Sequence, residues 1–75
     1  MESIYRYTVV IEHCEEGGYF AMCPAFSGCH AEGETYEEAL SEIKEVLKAF
    51  VEDYIAEGDQ LPEDDITVTS VQVAI

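Results

Sequence analysis

The sequence predicts a single α+β domain in which three antiparallel strands, one helix and a returning strand follow in the order β-β-β-α-β. Three observations support this prediction: two β-rich segments flank a double glycine, an apolar stripe recurs at helical spacing in the middle of the chain, and a last β-rich segment ends it. Its 75 residues suffice for one small core, so we expect one domain over residues 1–75. Such an order predicts a four-stranded sheet with the helix packed on one face.

The first strand is predicted over residues 4–12, where β-branched and aromatic side chains predominate. Because successive side chains of a strand point to opposite faces, one face carries large side chains only. These are Tyr5, Tyr7, Val9 and Ile11. The first strand therefore has an apolar face that needs a cover.

The next strands are defined by the residues that interrupt them. Gly17 and Gly18 predict a tight turn, because glycine adopts positive φ values without strain. A second strand is predicted over residues 19–23, ending at Pro24 because proline has no amide to donate to a sheet. A short third strand is predicted over residues 29–32.

The helix is predicted from its caps and its periodicity. Thr35 and Glu38 have the spacing of a capping box, in which each side chain binds a backbone amide near the helix start. An apolar stripe follows to about Glu57, and Gly58 is the expected C-terminal cap. The stripe consists of Leu40, Ile43, Leu47, Phe50 and Tyr54, and it is widened by Ala39, Val46, Val51 and Ile55.

A fourth strand is predicted over residues 66–75. Its apolar positions change phase, from Ile66 and Val68 to Val71 and Val73, so a bulge or bend is expected near Ser70. This strand is expected to return to the sheet after the helix.

Charge restricts the partners. There are 17 acidic and 3 basic residues, and the net charge is −14. Such a surface repels nucleic acid and anionic lipid but attracts basic proteins. Acidity that serves only solubility or salt adaptation remains the alternative. The sequence also lacks an apolar run long enough to span a membrane and a recognisable secretion signal, so we expect a cytoplasmic protein.

The cysteines and histidines around Cys23 raise the question of a metal site. The spacings from Cys14 to Cys23 and from Cys23 to Cys29 are wider than zinc ligand pairs usually show, and His30 is expected on the opposite strand face from Cys29. A disulfide between Cys23 and Cys29 stays open, since a hairpin connection would bring them within reach. With no nucleophile, phosphate-binding or dinucleotide motif, we expect neither catalysis nor a cofactor.

An ordered set of residues resembles the signature of HicB antitoxins. It consists of Gly18, Tyr19, Pro24, Gly28, Cys29, Gly33, Thr35, Glu38 and Ala39. The likeness covers residues 4–62. The resemblance implies a partial RNase H-like fold that is degenerate, without ribonuclease activity. It also implies a partner, because HicB proteins inhibit HicA toxins, which are small basic ribonucleases that degrade mRNA.

Two features depart from the family pattern. Ala25 stands where family signatures often have Asp, and the sequence ends at Ile75, whereas many HicB proteins continue into a DNA-binding domain. We therefore expect no direct binding of nucleic acid. An orphan acidic interaction module, without a toxin partner, is the alternative function.

Self-association is the last expectation. One helix covers only one sheet face, and the predicted last strand carries no charge that would discourage pairing. We therefore expect a homodimer through a sheet face or the last strand. The candidate interface residues are Tyr5, Tyr7, Tyr19, Phe26, Val71 and Val73. In the alternative, Phe26 folds inward with its loop and covers the surface.

Overall fold

The computed structural model describes residues 3–75 and contains one antiparallel sheet and one long helix. The elements are β1 (Val10–His13), β2 (Tyr19–Met22), β3 (His30–Gly33) and α1 (Tyr36–Glu57). The strand order in the sheet is β1-β2-β3. The predicted β-β-β-α order is therefore confirmed, but the first strand is shorter than predicted, because residues 4–9 have no neighbouring strand to pair with and belong to no strand.

The double glycine closes the first hairpin as predicted. Gly17 and Gly18 have φ angles of 105° and 82°, which side chains other than hydrogen tolerate poorly. The amide of Cys14 donates to the carbonyl of Gly18 over 2.9 Å. This turn sets the register, in which His13 lies opposite Tyr19.

Both helix caps form as the sequence predicts. The amide of Glu38 donates to the hydroxyl of Thr35 over 3.1 Å, and the carboxylate of Glu38 accepts from the amide of Glu34 over 3.0 Å. At the other end, Gly58 has a φ of 72° and its amide donates to Ile55. Satisfied end groups hold α1 at a defined length beside the sheet.

The core lies between α1 and the covered sheet face. The buried hydrophobic residues are Ala21, Cys23, Phe26, Cys29, Ala39, Ile43 and Val51. Phe26 fills the centre: its ring lies 4.8 Å from Tyr7, 5.8 Å from Phe50 and 5.2 Å from Tyr54, between ring centroids. The connection after β2 thus contributes its aromatic ring to the core and closes it at that end.

The predicted fourth strand does not form within the single chain. In the described part of the chain, residues 66–75 belong to no strand, and the sheet has three strands. Instead, the valines at 68, 71 and 73 are exposed to solvent. The chain after Asp65 extends away from the domain and does not pair with β1.

Candidate protein interaction surfaces

The corner that contains the cysteines is a packed structural element. Cys23 and Cys29 are free thiols, 1% and 3% exposed, and the amide of Cys23 donates to the carbonyl of Cys29 over 3.0 Å. Burial raises the pKa of both thiols above the ordinary value. Because the thiolate is the reactive form, these thiols are poor nucleophiles and poor metal ligands at neutral pH.

The side chains of His13 and His30 are exposed and do not lie among the buried residues of the corner. His30 is exposed and its ring stacks on Phe20 with centroids 5.6 Å apart, whereas the neighbouring Cys29 is buried. His13 packs against Tyr19 at 4.8 Å. Within residues 3–75, no group of three or more His, Cys, Asp or Glu side chains is arranged to hold a metal ion.

The residues of the family-like signature have structural positions. Gly18 forms the hairpin turn, and Gly28, with a φ of 78°, turns the chain before Cys29. Gly33 lies directly under the helix start, where an added Cβ would approach the amide nitrogen of Ala39 to 2.4 Å. The glycines of the signature therefore form turns and allow the close approach of β3 to α1.

The remaining signature residues fit this description. Thr35 and Glu38 form the N-terminal cap of α1. Tyr19 packs its ring edge-on against Tyr36, at 6.4 Å between centroids, and Pro24 is half-buried at the start of the corner.

The six candidate interface residues separate into three groups. Phe26 is 2% exposed and is not available to a partner; it folds inward, as in the alternative, but its ring packs against Phe50 and Tyr54 of α1. Tyr7 and Tyr19 are half-buried against the core, and Tyr5 is 47% exposed. Val71 and Val73 are 78% and 75% exposed.

A groove runs beside residues 3–7, the segment that leads into the edge strand β1. Its volume is ≈ 760 Å³. One side is formed by Tyr5 and Tyr7, which precede β1, and the other by one stripe of α1. That stripe consists of Lys44, Leu47, Lys48, Val51, Glu52 and Ile55. The groove is therefore apolar along its floor and carries two of the three basic side chains of the chain at its rim.

The chain after the helix is held at the same edge. The hydroxyl of Tyr7 donates to the carbonyl of Pro62 over 2.6 Å, and the hydroxyl of Thr8 donates to the carboxylate of Asp64 over 2.8 Å. Burial raises the pKa of the Tyr7 hydroxyl, and the charges that the nearby Cys23 and Asp64 side chains carry when ionised raise it further. The neutral hydroxyl that Pro62 requires is thereby favoured.

An acidic cleft lies at the opposite end of the molecule. It has a volume of ≈ 690 Å³ between the first hairpin turn, β3 and the start of α1. Five carboxylates line it: Glu16, Glu32, Glu34, Glu38 and Glu42. Such a concentration of negative charge attracts basic groups.

The sequence pattern predicts one core for all apolar positions of the helix, so the groove is not among its predictions. Leu47 and Ile55 point towards the groove, whereas Ile43 is fully buried. The signal was present in the width of the stripe, which exceeds what a three-stranded sheet covers.

No helix within residues 3–75 has both the length and the apolar character required to cross a bilayer.

Comparison with known proteins gives a consistent assignment. Residues 7–73 match the family model described as the HicB-like antitoxin of bacterial toxin–antitoxin systems. A UPF0150 protein of Synechocystis, ssr1765, is 39% identical over 99% of this chain and 94% of its own length. A UPF0150 protein of Thermoplasma acidophilum is 39% identical over 79% of this chain and 86% of its own length.

A relative with a functional name extends this result. Antitoxin HicB 1 of Photorhabdus laumondii is 37% identical over 76% of this chain, which spans 37% of that protein. No solved structure matches the chain significantly. The family match covers most of the sequence and agrees with the near-full-length relatives. The chain therefore belongs to the HicB-like antitoxin family.

Proposed function

We propose that this protein is an antitoxin that binds and inhibits a small basic mRNA-cleaving toxin of the HicA type. The observation that carries the proposal is the family match over residues 7–73. The net charge of −14 supports it, because long-range attraction speeds the encounter between an acidic inhibitor and a basic target. The acidic cleft offers the densest group of carboxylates for such a contact.

We propose that inhibition occurs by binding, without catalysis by this chain. The buried thiols of Cys23 and Cys29 have raised pKa values, which disfavours nucleophilic chemistry. The five glutamates of the acidic cleft are all exposed, and exposed carboxylates are solvated.

Further parts of the proposal concern context. We propose that the protein works in the cytoplasm, as a homodimer, and without direct contact to nucleic acid, which its charge disfavours. The antiparallel order β1-β2-β3 followed by α1 is compatible with a partial RNase H-like fold. The fourth strand of that fold would then have to come from residues 66–75.

A second candidate function is an orphan acidic interaction module without a toxin. It is favoured by one observation: the relatives that match over nearly their whole length carry the name UPF0150, which mentions no toxin. The two candidates differ in whether a short basic reading frame adjoins the gene.

The test is co-expression with the protein encoded by that neighbouring frame. We expect the neighbour alone to arrest growth, and co-expression to restore growth and yield a purified complex whose affinity falls as salt rises. Toxicity without rescue, together with no complex, would overturn the antitoxin proposal and favour the orphan module.

A charge-reversal pair locates the contact. Glu34→Lys/Glu42→Lys alters the acidic cleft, and Glu57→Lys/Asp59→Lys makes the same charge change at the far end of α1. We expect the cleft variant to weaken the complex at least about tenfold more than its control. Equal weakening by both would show that the attraction is spread over the whole acidic surface.

A further inference from the structure

The segment formed by residues 66–75, here named the arm, is an exposed apolar segment. Val68, Val71, Val73 and Ile75 are between 72% and 121% exposed. None of its ten residues is charged, although the chain as a whole carries a net charge of −14. Soluble monomers rarely expose a contiguous apolar run of this kind, so the arm needs a partner surface.

The chain is more extended and exposes more surface than a compact monomer of its size. Its accessible surface is 6253 Å², whereas a compact monomer of 8.4 kDa exposes about 4,600 Å². Its radius of gyration is 14.5 Å, whereas about 11 Å is expected for its length. The excess surface, roughly 1,600 Å², exceeds the roughly 800 Å² that each partner buries in a standard interface.

The outer edge of β1 lacks a neighbouring strand. β1 is an edge strand of the three-stranded sheet, and α1 packs closest over β3 and least over β1. The groove described above therefore runs where a fourth strand would lie beneath the helix. Its apolar lining includes the half-buried Leu47 and the exposed Ile55, which no strand of this chain covers, and the edge of the buried Val51.

The arm begins at this same edge. The bonds from Tyr7 to Pro62 and from Thr8 to Asp64 fix the chain beside β1 immediately before the arm departs. Each copy of the chain therefore presents, at one place, an uncovered strand edge and an unpaired apolar arm. In a two-fold dimer, the arm of each copy can pair with the strand edge of the other, as in any isologous interface.

We propose that the arm of one chain adds to the outer edge of β1 in a second copy as its fourth strand, and that the second copy returns the same contact. Val71 and Val73 then enter the groove against Leu47, Val51 and Ile55. This specifies the contact that would form the homodimer of the proposed function, and it holds whether or not a toxin binds.

Charge favours a second copy over a basic protein as the occupant. No side chain of the arm offers a carboxylate to a basic partner. Lys44 and Lys48 outnumber Glu52 among the charged side chains that line the groove, so repulsion between two acidic chains is reduced there. The acidic residues 63–65 that precede each arm complement these lysines.

The test uses the full chain and a matched pair of variants in sedimentation equilibrium. Val71→Asp/Val73→Asp places two charges at the apolar positions, and Ser70→Asp/Gln72→Asp places the same two charges at the alternate positions of the same strand. We expect a dimer for the unmodified chain at tens of micromolar. The valine variant should raise the dissociation constant at least about 100-fold, and the control only a few-fold.

Hydrogen exchange on the same samples distinguishes the arrangements. We expect the amides of the arm and of residues 4–13 to gain protection together as the dimer forms. A monomer mass at all concentrations, with or without a protected arm, overturns the proposal, because a protected arm would then have folded back on its own β1. A dimer whose arm amides stay unprotected, or one that both variants weaken equally, overturns it as well.

Discussion

Gly33→Ala provides the most direct test of how β3 and α1 are joined. A Cβ at this position would lie 2.4 Å from the amide nitrogen of Ala39 and 2.8 Å from the carbonyl carbon of Glu38. Ordinary contacts begin near 3.4 Å, so the backbone of the first helical turn has to move by about 1 Å. The obstacle is backbone on a capped helix and not a flexible side chain.

The expected cost combines two effects. Overpacking of this kind costs about 1–3 kcal/mol, and distortion of the cap formed by Thr35 and Glu38 adds about 1 kcal/mol. A domain of 75 residues has a free energy of unfolding of about 4–11 kcal/mol, so the variant should lose a large part of it.

Urea unfolding followed by circular dichroism measures this loss, with Gly28→Ala as the matched control. Gly28 also has a positive φ, 78°, but a Cβ there meets nothing within 4 Å, so the control should lose only about 1 kcal/mol, from backbone strain. A Gly33→Ala variant that is as stable as the control would refute the close approach of β3 and α1.

Two further predictions concern the core and its titratable groups. Ile43→Ala truncates a side chain that is 0% exposed and should lower the free energy of unfolding by about 2–5 kcal/mol. The control Ile4→Ala changes a side chain that is 92% exposed and should alter this free energy by less than about 0.5 kcal/mol. A similar thermal midpoint for both variants would contradict the assigned core. Stability should also fall at alkaline pH. Folding raises the pKa values of the Cys23 and Cys29 thiols from an ordinary value of 9.0, and that of the Tyr7 hydroxyl from 10.0. As the pH rises, the unfolded chain therefore loses these protons before the folded chain does. The urea midpoint should be level up to about pH 9 and decline above it, less steeply for Tyr7→Phe; a level midpoint to about pH 11 would contradict this.

The parts of the fold that were predictable from the sequence have local causes. Gly17 and Gly18 specify the first hairpin through φ angles that few other residues adopt. Thr35, Glu38 and Gly58 specify the ends of the helix through bonds to amides and carbonyls a few residues away. Each of these signals lies within a short stretch of chain, so its outcome does not depend on distant contacts.

The parts that were not predictable depend on pairing between distant segments. Residues 66–75 have the composition of a strand, but composition does not tell which edge, or which copy, supplies the neighbour. Likewise the width of the apolar stripe indicates that the helix has more apolar surface than three strands cover, but it does not tell that Leu47 and Ile55 line a groove while Ile43 is buried. The inward position of Phe26 depends on contacts with Tyr7, Phe50 and Tyr54, which lie far apart in sequence.

Salt should separate the two proposed associations, because they involve different chemistry. The arm is uncharged, so the electrostatic contribution to dimerisation is dominated by repulsion between two chains of charge −14. Raising the ionic strength from physiological to about 1 M shortens the Debye length from about 8 Å to about 3 Å and screens that repulsion. Binding of a basic toxin depends on attraction, which the same screening removes.

The dissociation constant of the dimer should therefore fall as salt rises, while that of the toxin complex should increase, both measured by sedimentation on the same preparation. The control is Val71→Asp/Val73→Asp, in which added charge should keep the chain monomeric at either salt concentration. If dimerisation weakened with salt, ion pairs such as those between Lys44 or Lys48 and residues 63–65 would outweigh the apolar contacts of the arm. The groove would then bind its partner by charge, and the apolar strand exchange proposed above would not be what holds the dimer together.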